Sequence, residues 1–194
     1  MKGLKNGKMF DWVVVSVVGS DRPGIVANVS RVLYENHYNI ESLSQTVIMG
    51  QFAMILIAST QKGKSHERIR SGLSELENRL SLDIHLKQVG PEEMASYRSG
   101  EMEPFVITVR GEDRPGLAYG ISEILAEWGI NITSLDAKVA LLGETLEYIQ
   151  IFQVDIPKEL DFGLIQEKLR QQGEEMGVIV DLQHLEIFRA INQI

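Results

Sequence analysis

The chain has 194 residues, a formal net charge of −8, 44% hydrophobic and 24% charged residues, and no cysteine. That length suits one large domain or two small ones. The acidic balance argues against a mainly electrostatic grip on nucleic acid or anionic lipid, and the missing cysteines exclude disulfides and thiolate metal sites.

Residues 1–10 are expected to form an N-terminal tail. Lys2, Lys5 and Lys8 followed by an apolar run superficially resemble a secretion signal. Asp11 interrupts that run, and an equivalent run recurs at 104–111, so residues 12–18 read as a strand of the fold. A turn at 21–24, Asp-Arg-Pro-Gly, ends the strand. Ile25, Val29, Val32 and Leu33 then follow at helical spacing. Asn39 ends the helical segment. The stretches 41–49 and 52–59 flank Gly50-Gln51 and predict a hairpin. Ile69, Leu73, Leu76 and Leu80 predict a second helix, with Ser65 as its cap, and 82–89 alternates as a final strand.

The first domain is therefore placed at 11–90. Residues 91–103, polar and bounded by Gly-Pro and Pro, read as a linker. The second domain, 104–190, repeats the first. Asp113 lies 92 residues after Asp21 (113 − 21), and the same four letters recur at 113–116. Phe105, Ile107 and Val109 stand for Val13, Val15 and Val17. Leu117, Ile121, Ile124 and Leu125 form the apolar face after the turn, and "INITSL" echoes "YNIESL". A longer hairpin around 142–147, a helix over 158–173 and a strand over 178–188 complete the copy. The order β-α-β-β-α-β, read twice, predicts an α+β chain of two ferredoxin-like domains. Each should be a four-stranded antiparallel sheet with two helices on one face, and a pseudo-two-fold axis is expected to relate them. No apolar stretch approaches the length that spans a bilayer, and a cytoplasmic setting is expected.

The doubled turn has chemistry of its own. Pro23 suits the first turn of a helix, Asp21 is able to cap it, and Gly24 removes a Cβ where a ligand or another chain would approach. The first N–H groups of a helix are unpaired and attract anions, so the corner is able to hold a small carboxylate. The same residues also make a sound turn with no ligand, and both readings stay open. Arg22 and Arg114 are expected to face solvent. Asn39 and Asn131 each lie 18 residues past the paired aspartates (39 − 21 and 131 − 113). In a β-α-β unit they start strand two at the end opposite the turn.

A strand, then "GSDRPG" or "GEDRPG", an apolar helix and "NI" opening strand two resemble the ACT domain. The resemblance covers both copies, and freestanding tandem ACT proteins of the glycine cleavage system transcriptional repressor type are the most similar kind. It implies a regulatory module that binds an amino acid at domain interfaces. In the serine-regulated ACT domain of phosphoglycerate dehydrogenase an Asn-Arg-Pro-Gly turn, together with an Asn opening the neighbour's second strand, contacts the effector. Carried over by motif, the ligand-binding candidates are Asp21, Gly24, Ile25 and Asn39 in the first copy. Asp113, Gly116, Leu117 and Asn131 are their counterparts in the second. Asp replaces that Asn here, and Gly19 and Gly111 stand where that family member has histidine, which points away from serine.

Fold alone does not decide function. An acylphosphatase-like enzyme would share the plan, and Arg22 and Asn39 are present, but its Gly-rich loop is not. RNA-recognition motifs need exposed aromatics on the central strands and a basic surface; only Phe52 is on offer. No phosphate-binding Gly-x-x-x-x-Gly-Lys loop or His-Glu-x-x-His pair occurs, and His37, His66, His85 and His184 are scattered. The expectation is a non-enzymatic regulatory protein with no catalytic residue, no metal and no cofactor. Its partners would be an amino acid and a protein or second copy of the chain, without direct nucleic-acid or membrane binding. The alternative is a protein-interaction module with no ligand.

Overall fold

A computed structural model describes residues 4–5, 8–63, 66–90, 93, 101–142 and 145–192. The chain divides into two compact units, Met1–Ser99 and Gly100–Ile194. Most of the expected linker, residues 91–92 and 94–100, lies outside the described residues, as does Ser65.

The first unit runs β1 (Leu4–Lys5), β2 (Lys8–Ser20), α1 (Ile25–Glu35), β3 (Asn39–Ile48), β4 (Gln51–Gln61), α2 (Glu67–Leu80) and β5 (Asp83–Val89). All pairings are antiparallel in the order β3-β4-β2-β5, with the short β1 against the start of β2. The central strand shows why the sheet has one dry face: Val13, Val15 and Val17 are buried, and Val14 and Ser16 between them are only half so. Side chains alternate across a strand. The buried row packs against Ile25, Val29 and Leu33 of α1 and Ile69, Leu73 and Leu76 of α2. Each such side chain contributes about 1.5–3 kcal/mol on burial. The other face leaves Val18 and Ile55 exposed, as antiparallel sheets allow.

The second unit runs β6 (Met102–Gly111), α3 (Leu117–Glu127), β7 (Asn131–Leu142), β8 (Thr145–Pro157), α4 (Phe162–Met176), β9 (Ile179–His184) and α5 (Leu185–Asn192). Its order, β7-β8-β6-β9, reproduces the first. Phe105, Ile107 and Val109 meet Ile121 and Leu125 of α3 and Ile165 and Leu169 of α4. Both copies carry the same irregularity: the register of strand two shifts between Ile40 and Ser42, and again between Ile132 and Ser134. One extra residue, Glu41 or Thr133, makes each bulge.

Four local expectations need correction. Strand two of the chain begins at Lys8, four residues before Trp12. The first hairpin turns on Met49-Gly50, not Gly50-Gln51. Both residues have positive φ, 49° and 78°, as a type I′ turn requires. The second hairpin is longer, as expected, through its strands: Leu142 pairs with Thr145. The last strand stops at His184, and Leu185 opens α5. The His184 ring nitrogen accepts from the Glu186 N–H at 3.3 Å, and Glu186 and Arg189 sit at the ends the helix dipole favours. Finally, Asp21 does not cap α1 and Pro23 is not in its first turn, because Gly24 takes the cap position with φ 96° and ψ −6°.

Candidate functional site

Each Asp-Arg-Pro-Gly turn is shaped by two glycines. Gly19 lies one residue before the end of β2, beneath Leu82: a Cβ there would lie 2.6 Å from Leu82 Cδ2. Gly111 lies likewise beneath Val178, with Cγ1 at 2.7 Å. This accounts for glycine where a histidine was looked for, since the space beside each strand end is filled by the residue leading into the last strand. Gly24 and Gly116 then cap α1 and α3 at φ 96° and 99°, a region where a Cβ is strained.

The turn arginines are not idle. Arg22 is exposed, yet its guanidinium donates to the Leu80 carbonyl at the end of α2. Arg114 lies over Gly177, the C-cap of α4: a Cβ there would be 3.2 Å from an Arg114 nitrogen. Both place a cation at a helix C-terminus, where the dipole favours it. Both arginines face solvent, as expected, and have this role besides. The first turn is also tied to its hairpin, where the Asp21 N–H donates to the Gly50 carbonyl at 2.9 Å.

Helix N-termini in the chain are finished in two ways. At α4 the Asp161 carboxylate accepts from the N–H groups of Gly163 and Leu164, at 2.8 and 3.3 Å. At α1 and α3 no side chain caps the helix, so the first N–H groups keep their attraction for an anion.

At the second turn these N–H groups border a cavity of about 380 Å³, lined by residues 113–118 with Tyr148 and Gln150. Three candidates, Asp113, Gly116 and Leu117, are thus brought together. A second hollow of about 490 Å³ also includes Asp113 and Tyr148 in its lining. Gln150 is only 2% exposed, and its Oε1 has no hydrogen-bond partner. An unpartnered buried acceptor costs about 1–3 kcal/mol. Tyr148 and Gln150 were not among the candidates read from sequence. The signal was present: Gln150 is a polar break in the buried row Phe152, Val154 and Ile156.

Asn39 and Asn131 are not brought to the turn of their own unit. Gly19 pairs with Phe52, but Asn39 pairs with Ser59, seven residues along β4. Gly111 pairs with Tyr148, but Asn131 pairs with Asp155, again seven along β8. At roughly 3.3 Å per residue that is about 23 Å. Asn39 donates instead to the Glu41 carboxylate at 3.1 Å, which also accepts from the buried Ser59 hydroxyl at 2.6 Å.

The ACT domain profile matches residues 11–87 and 103–183. The chain belongs to the ACT domain family. It carries two ACT units, and ACT domains are regulatory ligand-binding domains. A UPF0237 protein of Methanopyrus kandleri is 37% identical over 90 residues, which cover 46% of this chain and 96% of that one. A UPF0237 protein of Methanocaldococcus jannaschii is 36% identical over 93 residues, covering 48% and 100%. Each relative therefore has the span of about half this chain. Among solved structures, an unknown protein from Galdieria sulphuraria is 29% identical with a TM-score of 0.74, covering 91% of this chain and 99% of that one. A candidate glycine cleavage system transcriptional repressor has the same fold, with 19% identity and a TM-score of 0.66, over 90% of this chain and 96% of that one. Among the described residues no helix is long and apolar enough to cross a membrane, and no group of three or more His, Asp or Glu is placed to hold a metal ion.

Proposed function

We propose that this tandem ACT protein is a non-catalytic regulator that binds an amino acid at a strand-helix turn and passes the signal to a protein partner. The observation that carries the reading is the uncapped start of α3 bordering a cavity that also holds Asp113 and Gln150. An amino acid matches that set: its carboxylate accepts from the first N–H groups of α3, and its ammonium faces the Asp113 carboxylate. The regulatory character of ACT domains supports the partner.

The test is a thermal-shift screen of the amino acids at millimolar concentration. A ligand at its dissociation constant adds only a few tenths of a kcal/mol, but a hundredfold excess adds about 2.7. For a unit of this size that is a rise on the order of 10 °C. A rise with one or a few amino acids is the expected result. No rise with any of them would leave the turn as a structural corner and favour a pure interaction module.

A further inference from the structure

The two turns share their letters but not their surroundings. Because Gly111 pairs with Tyr148 as Gly19 pairs with Phe52, and Val109 with Gln150 as Val17 with Met54, strand positions correspond. The second unit has Tyr148 and Gln150 where the first has Phe52 and Met54. Phe52 and Met54 are buried in the first core. Gln150 occupies the same core-facing position, but it carries an amide and has no partner for its oxygen.

A second difference lies four residues into each helix. Asn28 donates from Nδ2 to the Gly24 carbonyl at 2.8 Å and accepts from Arg79 at 2.9 Å, so its side chain stands over the first turn. The second helix has Gly120 there. A Cβ built on Gly24 would meet Asn28 Nδ2 at 3.4 Å, whereas one built on Gly116 meets nothing within 4 Å.

We infer that the copies have diverged into one ligand site and one structural corner: the second turn takes a single small carboxylate with an adjacent hydrogen-bond donor, read by Gln150, and the first turn takes none. The ligand's carboxylate sits at the start of α3, and its ammonium or hydroxyl supplies the proton that Gln150 Oε1 lacks. Filling that acceptor removes the penalty of leaving it dry, so a ligand without a donor binds poorly. This inference rests on the ligand-binding reading above, but not on the ligand being an amino acid.

The experiment is a titration of the isotope-labelled full chain, read by amide NMR, with each amino acid and with glycolate and lactate at millimolar concentration. Acetate, which has no adjacent donor, is the control. Shifts are expected at the amides of Gly116, Leu117 and Ala118 and at the Gln150 side chain, with Gly24, Ile25 and Val26 unmoved and one ligand bound per chain. Acetate should bind at least about tenfold more weakly. Gln150→Met, which copies the residue already packed at this position in the first unit, should abolish the second-turn shifts while the spectrum stays dispersed.

Movement at both turns would overturn the asymmetry and leave the proposed function standing. Binding of the hydroxy acids alone would remove the amino-acid reading and keep the inference. No movement at either turn with any probe would overturn both, and movement at the first turn alone would overturn the inference only. The wild-type map decides the asymmetry without a variant. Should Gln150→Met not fold, the acetate comparison still tests the role of Gln150: equal binding of acetate and glycolate would refute it.

Discussion

The guanidinium of Arg22 donates to the carbonyl of Leu80, so an arginine of the first turn closes the C-terminus of the helix that follows the hairpin. The bond explains part of the repeated motif without any ligand. Arg22→Ala should lower the stability of the first unit by about 1 kcal/mol, the usual net worth of such a bond. Urea unfolding followed through Trp12, in a Trp128→Phe background, would measure it. Amino-acid binding at the second turn should not change. A variant as stable as the parent would remove the capping role.

Gly19 and Gly111 differ in how much their neighbours are able to yield. At Gly19 the intruding atom is the far end of Leu82, and the next nearest atoms are 3.5 Å away. At Gly111 the Val178 side chain is close at Cγ1, and its Cβ and Cα stand at 3.2 and 3.3 Å. Overpacking costs about 1–3 kcal/mol. Gly111→Ala should fall near the top of that range and Gly19→Ala near the bottom. Equal losses in calorimetry of the two variants would contradict this packing account.

Much of this was legible in the sequence, and the exceptions have physical causes. Alternation of Val13, Val15 and Val17 and the helical spacing of Ile25, Val29 and Leu33 report directly which side chains leave water. The repeat carried the fold to the second copy. It also hid Gln150. A constant offset of 92 aligns Gln150 with Ala58, but Asn131 pairs with Asp155 where Asn39 pairs with Ser59 (155 − 59 is 96), so the longer strands of the second hairpin move Gln150 onto Met54. Asp21 looked like a cap because Asp before a helix usually is one. Only the backbone angle of Gly24 decides otherwise. The strand reading runs on past His184 because Leu185, Glu186 and Ile187 still alternate apolar and polar, but they do so out of phase with Val180 and Leu182, and the ring of His184 receives the Glu186 N–H as α5 begins.

Tyr38 gives the first unit an alkaline limit. Its ring is buried, its hydroxyl lies 2.5 Å from His66 Nδ1, and burial, then the nearby Asp11 carboxylate, pushes its pKa above the ordinary value. The unfolded chain ionises Tyr near pH 10, and the folded chain does so later. The unfolded state therefore loses its proton first, and stability falls as pH rises. The contribution is whole below about pH 10 and is lost as pH climbs through the raised folded value. In Tyr38→Phe this part of the decline should vanish. Urea midpoints of both proteins between neutral pH and pH 11 would show parallel curves if the assignment is wrong.

Asp161 and Asp113 both precede a helix, and the structure gives them different work. Asp161 accepts from two N–H groups of α4, so Asp161→Ala should cost about 0.5–2 kcal/mol, the worth of a cap. The Asp113 side chain caps nothing at α3 and stands exposed at the mouth of the cavity. Asp113→Ala should leave stability within about 0.5 kcal/mol, as surface changes usually do. It should also weaken an amino-acid ligand by about tenfold, near 1.4 kcal/mol, by removing the carboxylate that faces its ammonium. Lactate, which has no ammonium, should bind the variant no worse than the parent, and better if the lost charge had repelled its carboxylate. Thermal unfolding and calorimetric titration on the same two variants separate these outcomes. A loss of stability in Asp113→Ala equal to that in Asp161→Ala would make Asp113 a structural residue and leave the ammonium without its counter-charge.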